Sequence, residues 1–359
     1  MSFTSIPIIA ARGTAYEVGY QIGVAALPLL RAMRAETRAE YGADWETLLR
    51  QSAPFQNATR QQLPRVFAEM RGVADGAQIP FDDFFLMSVE ELLYAEVKDN
   101  GLDAPYGARE KSKGCSDLAA VSPATRDGHV WLAHNNDLDA RAREQLTLTR
   151  FCVTDEPEIL AVTVGGWFIS IGMNNAELAL TGNQLNANDS RAGIPRLLAV
   201  RDILAQRTLD AALNAALRPE RASSYNNIIS SRDGRIVNVE GSATAAALTW
   251  SHERGGALAH TNHYLAPDME RFEADEPHLA MSATRCARAL DYARKYHGEI
   301  DFEICARFTR DHVYAPWGVC KHAGQSVTVF SALIDLTAAK LWLAVGNPCQ
   351  NEFVAHELN

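Results

Sequence analysis

Lys111-Ser112-Lys113-Gly114-Cys115-Ser116-Asp117-Leu118-Ala119-Ala120-Val121 is the stretch on which the reading of this chain turns. A charged, polar run ends at Gly114, a cysteine follows at once, and an apolar strand begins. A second strand, His129–His134, comes after Thr125-Arg126-Asp127-Gly128, whose Asp-Gly pair is a strong turn signal. Cys115 therefore stands at the start of a β-hairpin. Upstream, Lys98–Lys113 holds Gly101, Pro105 and Gly107 without a sustained apolar period, which predicts a loop. Loop, glycine, cysteine and strand form the arrangement expected of a chain that cuts itself between Gly114 and Cys115.

A cysteine released in this way carries both a thiol and a free α-amine. The thiol is a weak nucleophile at neutral pH, with an ordinary pKa of about 8.5. The amine, with a pKa of about 7.7–8.0, is a base already attached to it. Gly114 suits the cut itself, because without a Cβ it lets the thiol approach its carbonyl. Taken alone, Gly-Cys is a common dipeptide that describes a buried strand cysteine equally well.

The rest of the composition limits the alternatives. The 359 residues are 47% hydrophobic and 22% charged, as in a globular protein with a sizeable core. No apolar run approaches the roughly 20 residues needed to span a bilayer. The N-terminal residues lack a secretory pattern, so the expected location is cytoplasmic, with no membrane partner. A net charge of −10 argues against nucleic acid as a partner. The arginines between Arg31 and Arg50 alternate with Glu36, Glu40 and Glu46, which reads as a solvated helix face. The six cysteines are scattered and never form Cys-x-x-Cys. Cys152, Cys286, Cys305, Cys320 and Cys349 are therefore expected to be core thiols, with no zinc knot or redox dithiol.

The first third of the chain reads as helical. Tyr16, Val18, Ile22, Ala25, Leu29 and Met33 recur at helical spacing behind a Thr14/Glu17 capping box. Further helices are predicted over about Arg60–Val73 and Asp82–Val97. After Cys115 the pattern is mostly β. Hairpins are predicted from Leu146–Val153 with Glu158–Val164, Tyr225–Ser231 with Arg235–Glu240, and Ser326–Asp335 with Lys340–Val345. Helices are predicted over Pro195–Gln206, Leu209–Leu217, Ser282–Tyr296 and Asp301–Thr309. Grouped hairpins and paired helices imply an α+β fold with helix-covered antiparallel sheets.

Further motifs along the chain connect these elements. Gly13-Thr14-Ala15-Tyr16-Glu17-Val18-Gly19-Tyr20-Gln21-Ile22-Gly23 opens the series, and Gly114-Cys115-Ser116 follows. Then come Asn135-Asn136-Asp137, Gly172–Leu178 leading to Asn183-Gln184-Leu185, and His260-Thr261-Asn262-His263-Tyr264. Ser282-Ala283-Thr284-Arg285, Val319-Cys320-Lys321-His322, Thr328-Val329 and Gly346-Asn347-Pro348-Cys349 complete it. In this order and over nearly the whole chain, the motifs resemble those of the N-terminal-nucleophile (Ntn) hydrolases. The particular resemblance is to the acyl-coenzyme A:6-aminopenicillanic acid acyltransferase-like family. Two positions depart from it: Asn136 stands where an aromatic or aliphatic residue is usual, and Glu177 where glycine is usual.

The resemblance implies a four-layer αββα sandwich forming a single domain over residues 1–359. It also implies processing into a mostly helical 1–114 and a nucleophile-bearing 115–359 that stay associated. Cys115, Asp137 and Asn262 are the implied catalytic residues, with Asn262 on the oxyanion. Ser116, Asn135, Asn183 and Arg285 are the implied supporting or substrate-binding residues. The implied activity is amidase action on a small N-acyl amide or peptide-like conjugate through a thioester. Transfer of the acyl group, from an amide or thioester donor, to an amine is the alternative. No cofactor or metal is expected. His260 and His263 could be read as a metal pair, but they lack further ligands at suitable spacing. A papain-like enzyme with a separate histidine base and an uncut, non-catalytic binding protein are the competing readings. Assembly into a homo-oligomer is left open.

Overall fold

The computed structural model describes residues 6–94, 114–274, 279–324 and 326–358. The loop expected over Lys98–Lys113 lies outside them. The strands are β1 (Ile8–Gly13), β2 (Gly114–Ala120), β3 (Trp131–Leu138), β4 (Leu146–Val153), β5 (Ile159–Val164), β6 (Phe168–Asn174) and β7 (Leu178–Gln184). They continue with β8 (Tyr225–Ser231), β9 (Ile236–Gly241), β10 (Ala246–Trp250), β11 (Ala257–His260), β12 (Val327–Asp335), β13 (Lys340–Val345) and β14 (Val354–Glu357). The helices are α1 (Ala15–Ala25), α2 (Leu27–Tyr41), α3 (Trp45–Gln62), α4 (Pro64–Ala77) and α5 (Phe81–Met87). After them come α6 (Glu90–Leu93), α7 (Arg196–Leu204), α8 (Leu209–Ala216), α9 (Leu279–Lys295) and α10 (Phe302–Thr309).

Two sheets stack. One has eight strands in the order β1-β4-β5-β6-β7-β8-β9-β10, and the other six in the order β11-β2-β3-β12-β13-β14. Their facing sides interdigitate through Leu132, Leu148, Val162, Ile171, Ile228, Val329 and Leu343. The outer side of the larger sheet packs on α1–α8 through Ile22, Leu30, Met70, Phe84, Phe151 and Leu198. The outer side of the smaller sheet packs on α9 and α10 through Leu118, Ala133, Ala289, Tyr292, Ile304 and Phe308. This is the four-layer αββα sandwich that the motifs implied.

Every predicted hairpin forms, and the first is longer than expected: β3 runs on to Leu138, carrying Asn135-Asn136-Asp137 inside the strand. The helical predictions for the first third need correction. The Tyr16–Met33 pattern breaks at Ala26, because Pro28 sits in the first turn of a new helix. Pro64 likewise starts α4, so the Arg60–Val73 pattern joins the end of α3 to a separate helix. Asp82–Val97 is not one helix either. The Ser88 hydroxyl turns back to the Phe85 carbonyl (2.6 Å), and the chain then turns Glu90 and Glu91 inward. There Glu90 accepts from Arg196 Nε (2.8 Å), and Glu91 from the Arg196 backbone N–H (3.0 Å) and Ser223 (2.6 Å).

The Gly13–Gly23 motif has a direct structural reason. Gly19 and Gly23 of α1 meet Gly72 and Gly76 of α4, and the two backbones touch. A Cβ on Gly19 would lie 1.9 Å from the Glu69 carbonyl oxygen, and one on Gly72 would lie 2.1 Å from that of Tyr16. Glu69, at this crossing, is fully buried and accepts from Trp167 (2.6 Å) and from Nε and Nη2 of Arg201 (3.0 and 2.7 Å). A buried carboxylate persists only when compensated in this way.

Candidate active site

The β2–β3 register pairs Gly114 with Asp137, Cys115 with Asn136, Ser116 with Asn135 and Asp117 with His134. Side chains alternate across a strand. Leu118, Ala120 and Ala133 face α9 and α10, whereas Ala119 and Leu132 face the larger sheet. The alternation therefore assigns Cys115, Asp117, His134 and Asn136 to the space between the sheets. Ser116, Asn135 and Asp137 fall on the side of α9.

On the α9 side the contacts converge on the backbone around Cys115. The Cys115 N–H donates to Asn262 Oδ1 (2.8 Å). Arg285 Nη1 donates to the Cys115 carbonyl and to Ser116 Oγ (2.9 Å), while Nη2 reaches Asn262 Oδ1 (2.9 Å). Asn262 is itself held, its N–H on Ser282 Oγ (2.8 Å) and its Nδ2 on the Gln184 carbonyl (3.1 Å). A primary amide has two N–H groups on Nδ2, so the second is left for another acceptor. Arg285 is buried, not the helix-surface charge its position on α9 would also have allowed.

Asp137 is fully buried beside Gly114. Thr328 Oγ1 donates to its Oδ1 (2.7 Å), while its Oδ2 has no hydrogen-bond partner among the described residues. A Cβ on Gly114 would lie 2.9 Å from that Oδ2 and 3.4 Å from Arg285 Nη2, so glycine is the residue that fits. Burial pushes the Asp137 carboxyl pKa up, against the opposing pull of Arg285, Thr328 and Lys321. The site thus holds a carboxyl that takes a proton more readily than an exposed one, next to the Gly114–Cys115 peptide.

Between the sheets lies a buried polar chain that the motifs revealed only in part. His134 Nδ1 bonds Asp117 Oδ1 (3.0 Å), and Asn183 Nδ2 donates to Asp117 Oδ2 (2.6 Å). Asn183 Oδ1 accepts from Asn226 (3.1 Å) and lies 3.2 Å from His260 Nδ1, and His260 Nε2 meets Glu240 (2.7 Å). Burial alone lowers the His134 pKa, but the charge and hydrogen bond of Asp117, helped by the nearby Cys115 thiol, raise it to about 10. Among the described residues, the other ring nitrogen, Nε2, is buried without a partner in hydrogen-bond geometry, as is Oδ1 of Asn136. The sequence motifs do not mark His134 and Asp117 as site residues. The signal was available in the two-residue period: 115 with 117, and 134 with 136, fall on one face once the hairpin is paired.

The remaining expected residues are placed as follows. Asn183 lies in the chain just described. Asn135 faces away from the thiol and is saturated, donating to the Thr309 and Val319 carbonyls (both 2.9 Å) and accepting from Ser331 (2.5 Å). It braces α10 and the segment after it. His260 and His263 do not converge as metal ligands: His260 is spent on Glu240 and Asn183, and His263 Nδ1 meets Ser282 (2.8 Å). Burial, with His260 and Arg285 nearby, pushes the His263 pKa down to about 4. The expectation of core thiols holds for Cys286, Cys305 and Cys320 and fails for Cys349, which is exposed, and Cys152, which is half-buried.

Comparison with known proteins decides the family. The family described as acyl-coenzyme A:6-aminopenicillanic acid acyl-transferase matches residues 124–350. The chain belongs to this family. The matched stretch begins after Cys115. A relative in this family is the 40 kDa form of the acyl-coenzyme A:6-aminopenicillanic-acid-acyltransferase of Emericella nidulans. It is 23% identical over 95% of this chain and 92% of its own length. The β-alanyl-dopamine/carcinine hydrolase of Drosophila melanogaster is 22% identical over 97% of this chain and 95% of its own. Among solved structures, a conjugated bile acid hydrolase from Clostridium perfringens aligns with a TM-score of 0.43 at 12% identity, covering 68% of this chain and 97% of that one. Penicillin V acylase from Agrobacterium tumefaciens aligns with a TM-score of 0.42 at 12% identity, covering 64% and 83%. As a member of the 6-aminopenicillanic acid acyl-transferase family, the chain is an enzyme of amide hydrolysis or acyl transfer. Among the described residues, no helix is long and apolar enough to cross a membrane.

Proposed function

We propose that the chain is a self-processing cysteine amidase that cleaves a small N-acyl amide or peptide-like conjugate through a thioester on Cys115. One observation carries the reading: the Cys115 N–H, the nitrogen that would become the new α-amine, rests on Asn262, while an oxygen of Asp137 with no hydrogen-bond partner among the described residues lies against Gly114. In the cut, the Cys115 sulfur attacks the Gly114 carbonyl carbon and the Gly114–Cys115 C–N bond breaks. The departing nitrogen takes a proton, for which the raised carboxyl of Asp137 is the donor at hand. Water then opens the thioester, leaving a Gly114 carboxylate and a free Cys115 thiol and amine.

Turnover repeats the chemistry on substrate. The thiol attacks the amide carbon, its proton passes through the α-amine to the leaving amine, and water releases the acid. Asn262, with its second Nδ2 N–H, is the side-chain donor for the oxyanion. Arg285 supports it by holding the Cys115 carbonyl, and Ser116 Oγ accepts from the same Arg285 nitrogen. Water is always present, whereas transfer to an amine needs a shaped acceptor site, so hydrolysis is the first expectation. The names of the two relatives, one an acyltransferase and one a hydrolase of β-alanyl amides, support small amine conjugates as the substrate class.

A second reading has a specific observation behind it. Before any cut there is no α-amine, yet the thiol must still lose its proton. His134, held by Asp117, is the ionisable side chain beside the precursor thiol. The separate histidine of the papain-like alternative then enters as a partner for the precursor thiol, not as a replacement for the amine.

Intact mass and N-terminal sequencing of purified protein test the proposal. Two associated pieces are expected, 1–114 and 115–359, the second beginning at Cys115. A chain that stays whole and still turns over substrate would overturn it. Incubating an acyl donor with and without candidate amines separates the two outcomes: amide product exceeding free acid would reverse the preference for hydrolysis.

A further inference from the structure

A second cluster of reactive side chains lies away from Cys115, at the end of the smaller sheet. His312, Cys320 and His322 come from the segment between α10 and β12, and Cys349 comes from the turn after β13. One ligand-type atom from each lies within 4.8 Å of all the others. The sulfurs of Cys320 and Cys349 are 3.7 Å apart, and His322 Nε2 is 3.6 Å from the first and 3.2 Å from the second. The Nε2 atoms of His312 and His322 are 3.0 Å apart.

These separations resemble the edges of a coordination tetrahedron. With metal–sulfur bonds of about 2.3 Å and metal–nitrogen bonds of about 2.0–2.1 Å, the edges are about 3.8 Å between sulfurs, about 3.6 Å between sulfur and nitrogen, and about 3.3 Å between nitrogens. These four pair separations fall within about 0.4 Å of their edges, and the two from His312 to the sulfurs are at most 4.8 Å. A disulfide would hold the sulfurs at about 2.05 Å. We propose that His312, Cys320, His322 and Cys349 bind one zinc ion in a closed Cys2His2 site. Two sulfurs and two imidazoles in a tetrahedron are the donor set that suits zinc, and four protein ligands mark a structural site, with no position open for substrate.

The surroundings support a built site. Asn347 Nδ2 donates to Cys320 Sγ (3.6 Å) and to the Lys321 carbonyl (2.8 Å), the kind of outer contact that orients a ligand. The Cys320 N–H rests on the Asp311 carbonyl (2.9 Å), and Arg310 holds the Pro348 carbonyl (3.0 Å). Both arms of the cluster are therefore tied together near their ligands.

The position gives the ion a consequence for the first site. Lys321 lies between two of the ligands, and its N–H donates to Thr328 Oγ1 (2.9 Å), the hydroxyl that donates to Asp137 (2.7 Å). Zinc would pin the Cys320–His322 segment and so fix the Thr328 hydroxyl against the carboxyl beside Gly114. Metal binding itself does not depend on any role of Cys115, so the two proposals fail separately.

The test is metal content of the full-length, tag-free protein after zinc loading and dialysis, with cobalt substitution as the spectroscopic readout. About one zinc per chain is expected, with a thiolate-to-cobalt charge-transfer band in the cobalt form. Cys349→Ser, an exposed position, and the double variant Cys320→Ser/Cys349→Ser should lower zinc to below about one tenth per chain and abolish the band, with Cys115→Ser keeping both. Wild-type protein that holds no zinc, a band that survives in the double variant, or recovery of Cys320 and Cys349 as a disulfide would each overturn the site.

Discussion

On the side of the β2–β3 hairpin turned to the larger sheet, Cys115 has Asp117 and His134 for company. On the side turned to α9, the same two strands offer Gly114, Ser116 and Asp137 to Arg285 and Asn262. The first side is a thiol environment, with a carboxylate-held imidazole and a chain of buried amides behind it. The second is a peptide environment, where donors and one carboxyl surround the Cys115 nitrogen and carbonyl. The lesson of the difference is that strand alternation separates two environments: in the proposed chemistry one side would govern the sulfur, the other the amide nitrogen that would leave.

Substitutions on each side test that division. Cys115→Ala removes the group both sides serve. It should leave a single uncut chain by mass spectrometry and lower turnover by more than about 10³-fold. Asn262→Ala and Asp137→Asn act on the peptide side. Each should slow cutting and turnover by about 10²–10³-fold in quenched time courses, while alkylation of Cys115 by iodoacetamide keeps its wild-type rate. A parallel fall in alkylation would erase the distinction between the sides. His134→Gln acts on the thiol side and should slow alkylation of Cys115 at pH 7 by about tenfold. An unchanged rate would remove His134 from the thiol's control.

The smallest effect is on stability. The His134 pKa in the folded chain, about 10, lies above the value of about 6.5 for an unfolded histidine. Its contribution is therefore complete below about pH 6.5 and fades as pH rises towards 10. Thermal melts of Cys115→Ala against Cys115→Ala/His134→Gln should show a gap of a few degrees at pH 6 that narrows by pH 10. A gap that stays constant would show that His134 contributes by packing alone.

The sequence carried the hairpins because their turn residues and two-residue periods are local signals. It carried Cys115, Asp137, Asn262 and Arg285 because ordered motifs mark them, although residues so far apart meet only in the folded sandwich. The helix boundaries failed where Pro28 and Pro64 begin new helices inside an unbroken apolar period, and where Glu90 and Glu91 bend the chain towards Arg196. Asp117, His134 and Glu240 stayed hidden for a different reason. Buried charge is judged by its partners, and the partners of these three come from other strands. Cys349 was read as core because a cysteine's spacing says nothing of the histidines a distant loop brings to it.

The crossing of α1 and α4 bears on what a cut at Gly114 would accomplish. Both helices of that crossing precede Gly114, yet they cover the outer face of a sheet made mostly from residues after it, and Glu69 there accepts from Trp167 and Arg201. In addition, β1 pairs parallel with β4 along six residue positions, from Ile8 with Leu148 to Gly13 with Val153. A segment that supplies an edge strand and most of one helical layer is no disposable leader. Removing it would bare the large apolar face around Phe151, Ile159 and Ile229 to water. Processing at this position would expose an amine and create a permanent heterodimer in the same event. Its two subunits would have no independent folded existence, and the stoichiometry would be fixed at synthesis by their origin in one chain.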